Sequence, residues 1–313
     1  DYDNALDYFT RSLTIFEEFG DKSIQATLNN IGIVHANKGD YEKALDYYKK
    51  SLTIQEELGD KRRIGGTLNN IGNVHRNKGD YDNALDYFTR SLTIFEELGN
   101  KSGMAIILQN IGIQYAMKGD YDNALDYSTR SLVIQEELGD KRRIGGTLSS
   151  IGSMYINNGE YDKALDCNSR ALKMQEELGD KRGMGLTLCN IGLVYLNKGD
   201  YDKALDYNSR ALKMQEELGD KRGMGSSLNN IGSVYLNKGN YDKALDYYER
   251  SLVIREDMGD KHGMGACLNN IGCVYFKKGD YESAEEYLDK SLSLEKEIGL
   301  GADDLISPTT FLY

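Results

Sequence analysis

Between residues 22 and 58, apolar and small side chains fall at helical spacing twice over. Leu28, Ile31, Gly32 and His35 share one face of the first stretch, roughly 22 to 38. Tyr41, Ala44, Leu45, Tyr48, Ser51 and Leu52 share one face of the second, roughly 41 to 58. Gly39-Asp40 separates them, glycine ending one helix and aspartate capping the next. Neither helix can bury its stripe alone, so the pattern predicts a packed helix pair, A then B. Gly32, Ala44 and Ser51 mark where the backbones approach closely, and the tyrosines fill the space left between them.

The same pattern returns along the chain. Leu-Asn-Asn-Ile-Gly at Leu28 to Gly32 recurs at Leu68, Leu228 and Leu268, with degenerate copies from Leu108, Leu148 and Leu188. The period is 40 residues, and Gly79-Asp80 and Gly119-Asp120 repeat the break between helices. An all-α solenoid of stacked helix pairs is therefore expected. Its parts are a lone helix B over 1–19, seven 40-residue helix pairs over 20–299, and a tail over 300–313. Opening on a helix B, without its helix A or an initiator methionine, the chain reads as a segment of a larger protein. The tail, ending Thr309-Thr310-Phe311-Leu312-Tyr313, reads as a capping helix cut short or as an apolar strap for self-association in a neighbouring molecule.

These residues resemble the tetratricopeptide repeat, a family marked by Leu-Gly-x-x-Tyr, Ala-x-x-x-Phe and a later Pro. Here Ile31-Gly32-x-x-His35 and Ala44-x-x-x-Tyr48 meet the pattern, and the match recurs in every repeat from Asp1 to about Gly299. Leu28 stands where the family often has Trp, and Glu56 where it often has Pro. The 40-residue form is more similar to the repeats of kinesin light chains and of the Leu-Gly-Asn scaffolds than to 34-residue chaperone adaptors, with longer helices absorbing the surplus. The resemblance implies a right-handed superhelix of antiparallel helix pairs and a protein-binding scaffold without enzymatic activity. An architectural spacer or self-association arm of a multidomain signalling protein is the alternative.

Composition narrows the partners. A net charge of −12 repels phosphate backbones and anionic lipid heads, so neither nucleic acid nor membrane is expected. A single proline suits long helices. With no apolar run near the ~20 residues of a membrane span and no leader, a cytoplasmic location is the default.

Candidate chemistry is sparse. Cys167, Cys189, Cys267 and Cys273 match neither zinc-pair spacing nor a disulfide framework, and read as packing thiols. His35 and His75 occupy the slot of Tyr115, Tyr155, Tyr195, Tyr235 and Tyr275, so they are packing residues first. His262 has no nucleophile at triad-like spacing. No cofactor or metal is expected. Gly179 to Gly185 is glycine-rich, but helices flank it where a phosphate loop would follow a strand. In Glu56 to Arg62 the carboxylates end one helix and the cations open the next, each at the wrong end of a dipole. Pairing across the turn is expected to compensate.

One face departs from the ordinary. Opposite the core stripe of helix A, positions 26, 29, 30, 33 and 37 and their equivalents give 35 sites in seven helices, and only Lys277 is charged. About ten should be, at the chain average of 28%. Asparagine takes 16 of the 35. An amide both donates and accepts, so a column of them can satisfy the N–H and C=O groups of an extended peptide. The candidate binding residues are Asn29, Asn30, Asn69, Asn70, Asn73, Asn77, Asn110, Asn190, Asn197, Asn229, Asn230, Asn237, Asn269 and Asn270, with Leu196, Leu236 and Phe276 as an apolar anchor beside them. Bonding of these amides to neighbouring helices, or mere hydration of the wall they line, is the competing reading.

In the resembled family this stripe lines the concave groove. Seven A helices at ~9 Å would line roughly 60 Å, enough for about 18 extended residues at ~3.3 Å each. The chaperone-type carboxylate clamp needs cations on the stripe, and these positions lack them. Residues 161–200 and 201–240 are near copies, and three of their six differences, 186/226, 189/229 and 193/233, fall on the stripe.

Overall fold

The computed structural model describes residues 2–19 and 23–297, so the tail over 300–313 lies outside the described residues. The helices in chain order are α1 (Tyr2–Phe19), α2 (Ile24–Lys38), α3 (Tyr41–Leu58), α4 (Lys61–Asn77), α5 (Tyr81–Glu97), α6 (Lys101–Met117), α7 (Tyr121–Leu138) and α8 (Lys141–Asn157). They continue as α9 (Tyr161–Leu178), α10 (Lys181–Asn197), α11 (Tyr201–Leu218), α12 (Lys221–Asn237), α13 (Tyr241–Met258), α14 (Lys261–Lys278) and α15 (Tyr281–Glu297). The chain is an all-α solenoid in which even-numbered helices are the A helices and odd-numbered ones the B helices. It forms two compact units, Asp1–Met154 and Tyr155–Tyr313, whose boundary falls inside α8.

From α2 onward each turn is only two or three residues long because a glycine in it takes the left-handed conformation. Gly39 at φ 83° and Gly59 at φ 64° reverse the chain, their own N–H groups and those of Asp40 and Asp60 closing back onto the last helical carbonyls. Asp60, Asp80 and Asp120 then accept from the N–H three residues on, capping α4, α5 and α7. Such short turns leave successive helices antiparallel.

The predicted stripes form the core. In the first unit Leu28, Ile31, Ala44, Leu45 and Tyr48 are buried, and Val74 and Ile71 of α4 pack on Ala44 and Tyr48 of α3. In the second, Ile271 and Val274 of α14 pack on Ala244 and Tyr248 of α13 in the same way. Burial pushes the Tyr48 phenol up to about 12. A Cβ on Gly32 would come within 2.6 Å of the Tyr48 ring, so the ring lies directly on the α2 backbone. Where the B helix carries serine it donates into the preceding A helix: Ser51 to the Gln25 carbonyl at 2.6 Å, Ser91 to Gly65 at 2.7 Å, and Ser251 to Gly225 at 2.8 Å.

The charged faces are more ordered than the sequence reading allowed. Lys61 does not pair across its turn but reaches Glu97, at the end of α5, at 2.8 Å, and Lys101 reaches Glu137 at 2.7 Å. Lys221 and Asp257 repeat the pairing at 3.5 Å. At the other helix ends Lys118 pairs with Asp82, and Lys238 with Asp202. A lysine opening helix A thus meets the acid closing the following helix B, 36 residues on, which corrects the expected cross-turn pair. The turn itself is closed by backbone bonds, so its side chains are free to reach a neighbour. No helix among the described residues is long and apolar enough to cross a membrane.

Candidate functional site

The A-helix face opposite the core is where the predicted asparagines gather, and they interlock. In the first unit Asn70 Nδ2 donates to Asn29 Oδ1 at 3.3 Å, and Asn110 Nδ2 to Asn69 Oδ1 at 2.7 Å. In the second, Asn270 Nδ2 donates to Asn229 Oδ1 at 2.8 Å. Each bond links the asparagine at the 30 register of one A helix to the one at the 29 register of the A helix before it, 41 residues earlier. The competing reading is therefore met in part. Yet one bond uses one of the two donors of one amide and one acceptor site of the other, leaving both amides with capacity to spare.

The ladder breaks where the 29 register changes. Cys189 stands there in α10, bonded instead to Ser227 Oγ at 2.8 Å, and Asn230 turns to Asn208 Oδ1 at 3.2 Å. Asn190 likewise donates to Asn168 at 3.4 Å. Asn168 and Asn208 fill the aromatic slot of Tyr48 and Tyr248, are fully buried, and anchor their own Nδ2 on the Ala164 and Ala204 carbonyls. They hold the outer asparagines from beneath, a role that sequence reading missed although an asparagine in an aromatic core slot was the visible signal.

The remaining predicted residues divide by exposure. Asn30, Asn77 and Asn197 are exposed, while Asn73 and Asn269 are half-buried. Asn73 Oδ1 is buried with no hydrogen-bond partner, and Asn237 is exposed but donates to the Ser233 carbonyl. Of the apolar trio, Leu196 is half-buried and Leu236 packs into the Tyr248–Ile271 core, whereas Phe276 is 52% exposed and meets Tyr281 edge-on at 5.5 Å. Of these three, Phe276 offers the open apolar contact.

Between α2 and α4 this face opens into a groove of about 590 Å³. Asn29, Asn30, Asn69 and Asn70 line it together with Gln25, Gln55 and Thr67. Its edge carries Asp60, Arg62 and Arg63, so the wall is not wholly uncharged. Arg62 precedes Gly66 by four residues and so lies on the same face, one turn before the uncharged stripe begins.

Other candidate groups are absorbed into packing. His35 stacks on Tyr47 with ring centroids 5.5 Å apart, as Tyr115 does on Tyr127, and His75 stacks on Tyr87 at 5.3 Å. Nδ1 of His75 also meets Asp80 Oδ2 at 2.9 Å. His262 is exposed on the first turn of α14. Cys167, Cys189 and Cys267 are buried, Cys273 is half-buried, and burial pushes all four thiols up. Among the described residues no three histidine, cysteine or acidic side chains gather as a metal site.

The helix pairs, the short glycine turns and the small-residue contacts define a helical repeat protein. The tetratricopeptide repeat profile matches residues 1–61, 63–137, 143–217 and 223–297, and the chain belongs to this family of protein-interaction scaffolds. Among solved structures it is similar to the apo form of RapI, with a TM-score of 0.76 at 17% identity over 88% of this chain and 99% of that one. It is similar also to a Rap protein complexed with Competence and Sporulation Factor, with a TM-score of 0.68 at 17% identity over 94% and 85% of the two chains. A third likeness is to BtubC (BKLC) from P. vanneervenii, with a TM-score of 0.58 at 22% identity over 70% and 92%. At such identities the likeness is one of fold. Among curated proteins no sequence matches the chain.

Proposed function

We propose that the asparagine-bearing face of the A helices binds an extended segment of a partner protein, gripping its backbone through side-chain amides. The observation that carries this reading is the α2–α4 groove of about 590 Å³, which four asparagine amides line together. The ladder bonds support it further, since they hold Asn29, Asn69 and Asn70 in place before a ligand arrives and so reduce the cost of ordering them. Amides satisfy peptide N–H and C=O groups whatever the side chains, which suits a scaffold that reads the backbone first. The Rap protein complexed with Competence and Sporulation Factor offers an analogue within the same fold.

The test is a panel of end-blocked decapeptides measured against the whole chain by fluorescence anisotropy. Replacing Asn30 and Asn70 together with alanine is expected to weaken the tightest binders tenfold or more. Unchanged affinity would sink the reading and favour the architectural alternative.

A further inference from the structure

The groove between α2 and α4 holds two hydrogen-bond donors with no acceptor, and they point to the chemistry of what it takes. The first is Arg62. Its neighbours on the first turn of α4 are both paired, Lys61 with Glu97 at 2.8 Å and Arg63 with Asp60 at 3.5 Å. Arg62 between them is exposed, lines the groove, and has no ion-pair or hydrogen-bond partner among the described residues. The residue that precedes the next A helix is Asn100, where α10, α12 and α14 are preceded by Asp180, Asp220 and Asp260, so the sequence withholds a carboxylate there.

The second donor lies at the floor. Thr67 Oγ1 donates to Gln55 Oε1 at 2.9 Å, and Gln55 Nε2 donates to Gln25 Oε1 at 3.0 Å. This aligned chain ends at Gln25 Nε2, which has no partner although Gln25 is fully buried and lines the same groove. A buried amide donor left unfilled is costly, and a chain of aligned bonds polarises its last donor toward an anion. The open charge of Arg62 in the groove, with the unfilled Gln25 donor buried beneath its wall, is complementary to a carboxylate.

We propose that the partner segment is acidic, and that it presents an aspartate or glutamate side chain to Arg62 with Gln25 Nε2 as the unfilled donor beneath. This rests on the groove reading given above. A side chain is the source, not a chain end, because amides line the face on both sides of the site. Asn29 and Asn30 lie toward α2, and Asn69 with its partner Asn110 continues to α6, so a bound segment runs on past Arg62 in either direction. Charge-assisted bonds of this kind are the stronger class, which makes a preference of about tenfold for the acid over its amide a reasonable expectation.

The experiment compares end-blocked decapeptides carrying a central glutamate with the same peptides carrying glutamine, and with glutamine peptides whose C-terminus is left free. All are titrated against the whole chain and its Arg62→Gln and Asn30→Ala/Asn70→Ala variants. The glutamate series should bind about tenfold tighter than the glutamine series and lose that advantage in Arg62→Gln. The asparagine variant should weaken both series alike. Equal binding of the two series by the wild-type chain, or an advantage that survives Arg62→Gln, overturns the acidic assignment and leaves the groove reading standing. A preference confined to free C-termini overturns it in favour of an end carboxylate. If no series binds, both the assignment and the groove reading fall. Because Arg62 is exposed and unpaired, an unchanged thermal melt of Arg62→Gln shows that the variant is folded.

Discussion

Asn110 Nδ2 lies 2.7 Å from Asn69 Oδ1, an amide of α6 donating to an amide of α4 across two successive A helices. The pair ties its two repeats together, and Asn69 also lines the groove proposed to take a partner segment. Replacing either residue with alanine should cost about 1 kcal/mol of stability. The double variant should cost less than the sum of the two by roughly 0.5–1.5 kcal/mol, read from urea unfolding as a double-mutant cycle. Strict additivity would mean that the bond contributes nothing.

Two helix-interior glycines should respond to alanine with opposite signs. A Cβ on Gly72 would come within 2.7 Å of the Phe88 ring, itself fully buried, so Gly72→Ala must displace that ring and should destabilise by about 1–3 kcal/mol. Nothing lies within 4 Å of the corresponding atom on Gly146. There the gain in helix propensity is unopposed, and Gly146→Ala should stabilise by up to about 1 kcal/mol. Thermal melts of the two variants check both signs, and a common sign would contradict the close packing of ring on backbone.

Asp260 provides a pH-dependent signature. Burial pushes its carboxyl up, but the Gly263 N–H and the Arg255 guanidinium, 2.6 Å away, outweigh that and hold it below the usual carboxylate range. A depressed folded value means that the contribution to stability is fully present above the unfolded value near ~4 and is lost as pH falls through the folded value. Asp260→Ala should cost about 2 kcal/mol at neutral pH, from the lost cap and the stranded arginine. Asp260→Asn keeps a cap acceptor without the charge, so its deficit relative to wild type should shrink below pH ~4. A deficit independent of pH would show that the charge is immaterial.

The fold was legible because each repeat restates it. Helix spans, glycine turns and the Leu28–Ile31–Tyr48 core all follow from local spacing, and Gln25 and Ser51 depart from it only in their hydrogen bonds. What local spacing cannot supply is the offset between neighbours. The bond from Asn70 to Asn29 and the pair of Lys61 with Glu97 depend on how far one helix slides along the next, which a repeat length does not specify. The donor chain from Thr67 through Gln55 to Gln25 was hidden for another reason. It joins three ordinary polar residues on three helices, none of which stands out until burial is known. Arg62 lies on the same face one helical turn before the uncharged stripe, where nothing in the local pattern sets it apart from the exposed Lys61 and Arg63.

The central claim, that the amide face of the A helices grips a partner segment, can be read directly from the amides. The whole chain, labelled with ¹⁵N only at asparagine, would be titrated with the tightest-binding decapeptide of the end-blocked panel. The account predicts that the side-chain Nδ2 resonances of Asn29, Asn30, Asn69 and Asn70 shift together. Those of Asn83 and Asn123, which bond Asp80 and Asp120 at the starts of α5 and α7, should stay in place. Saturable binding that moves Asn83 and Asn123 while leaving the groove amides unmoved would contradict it.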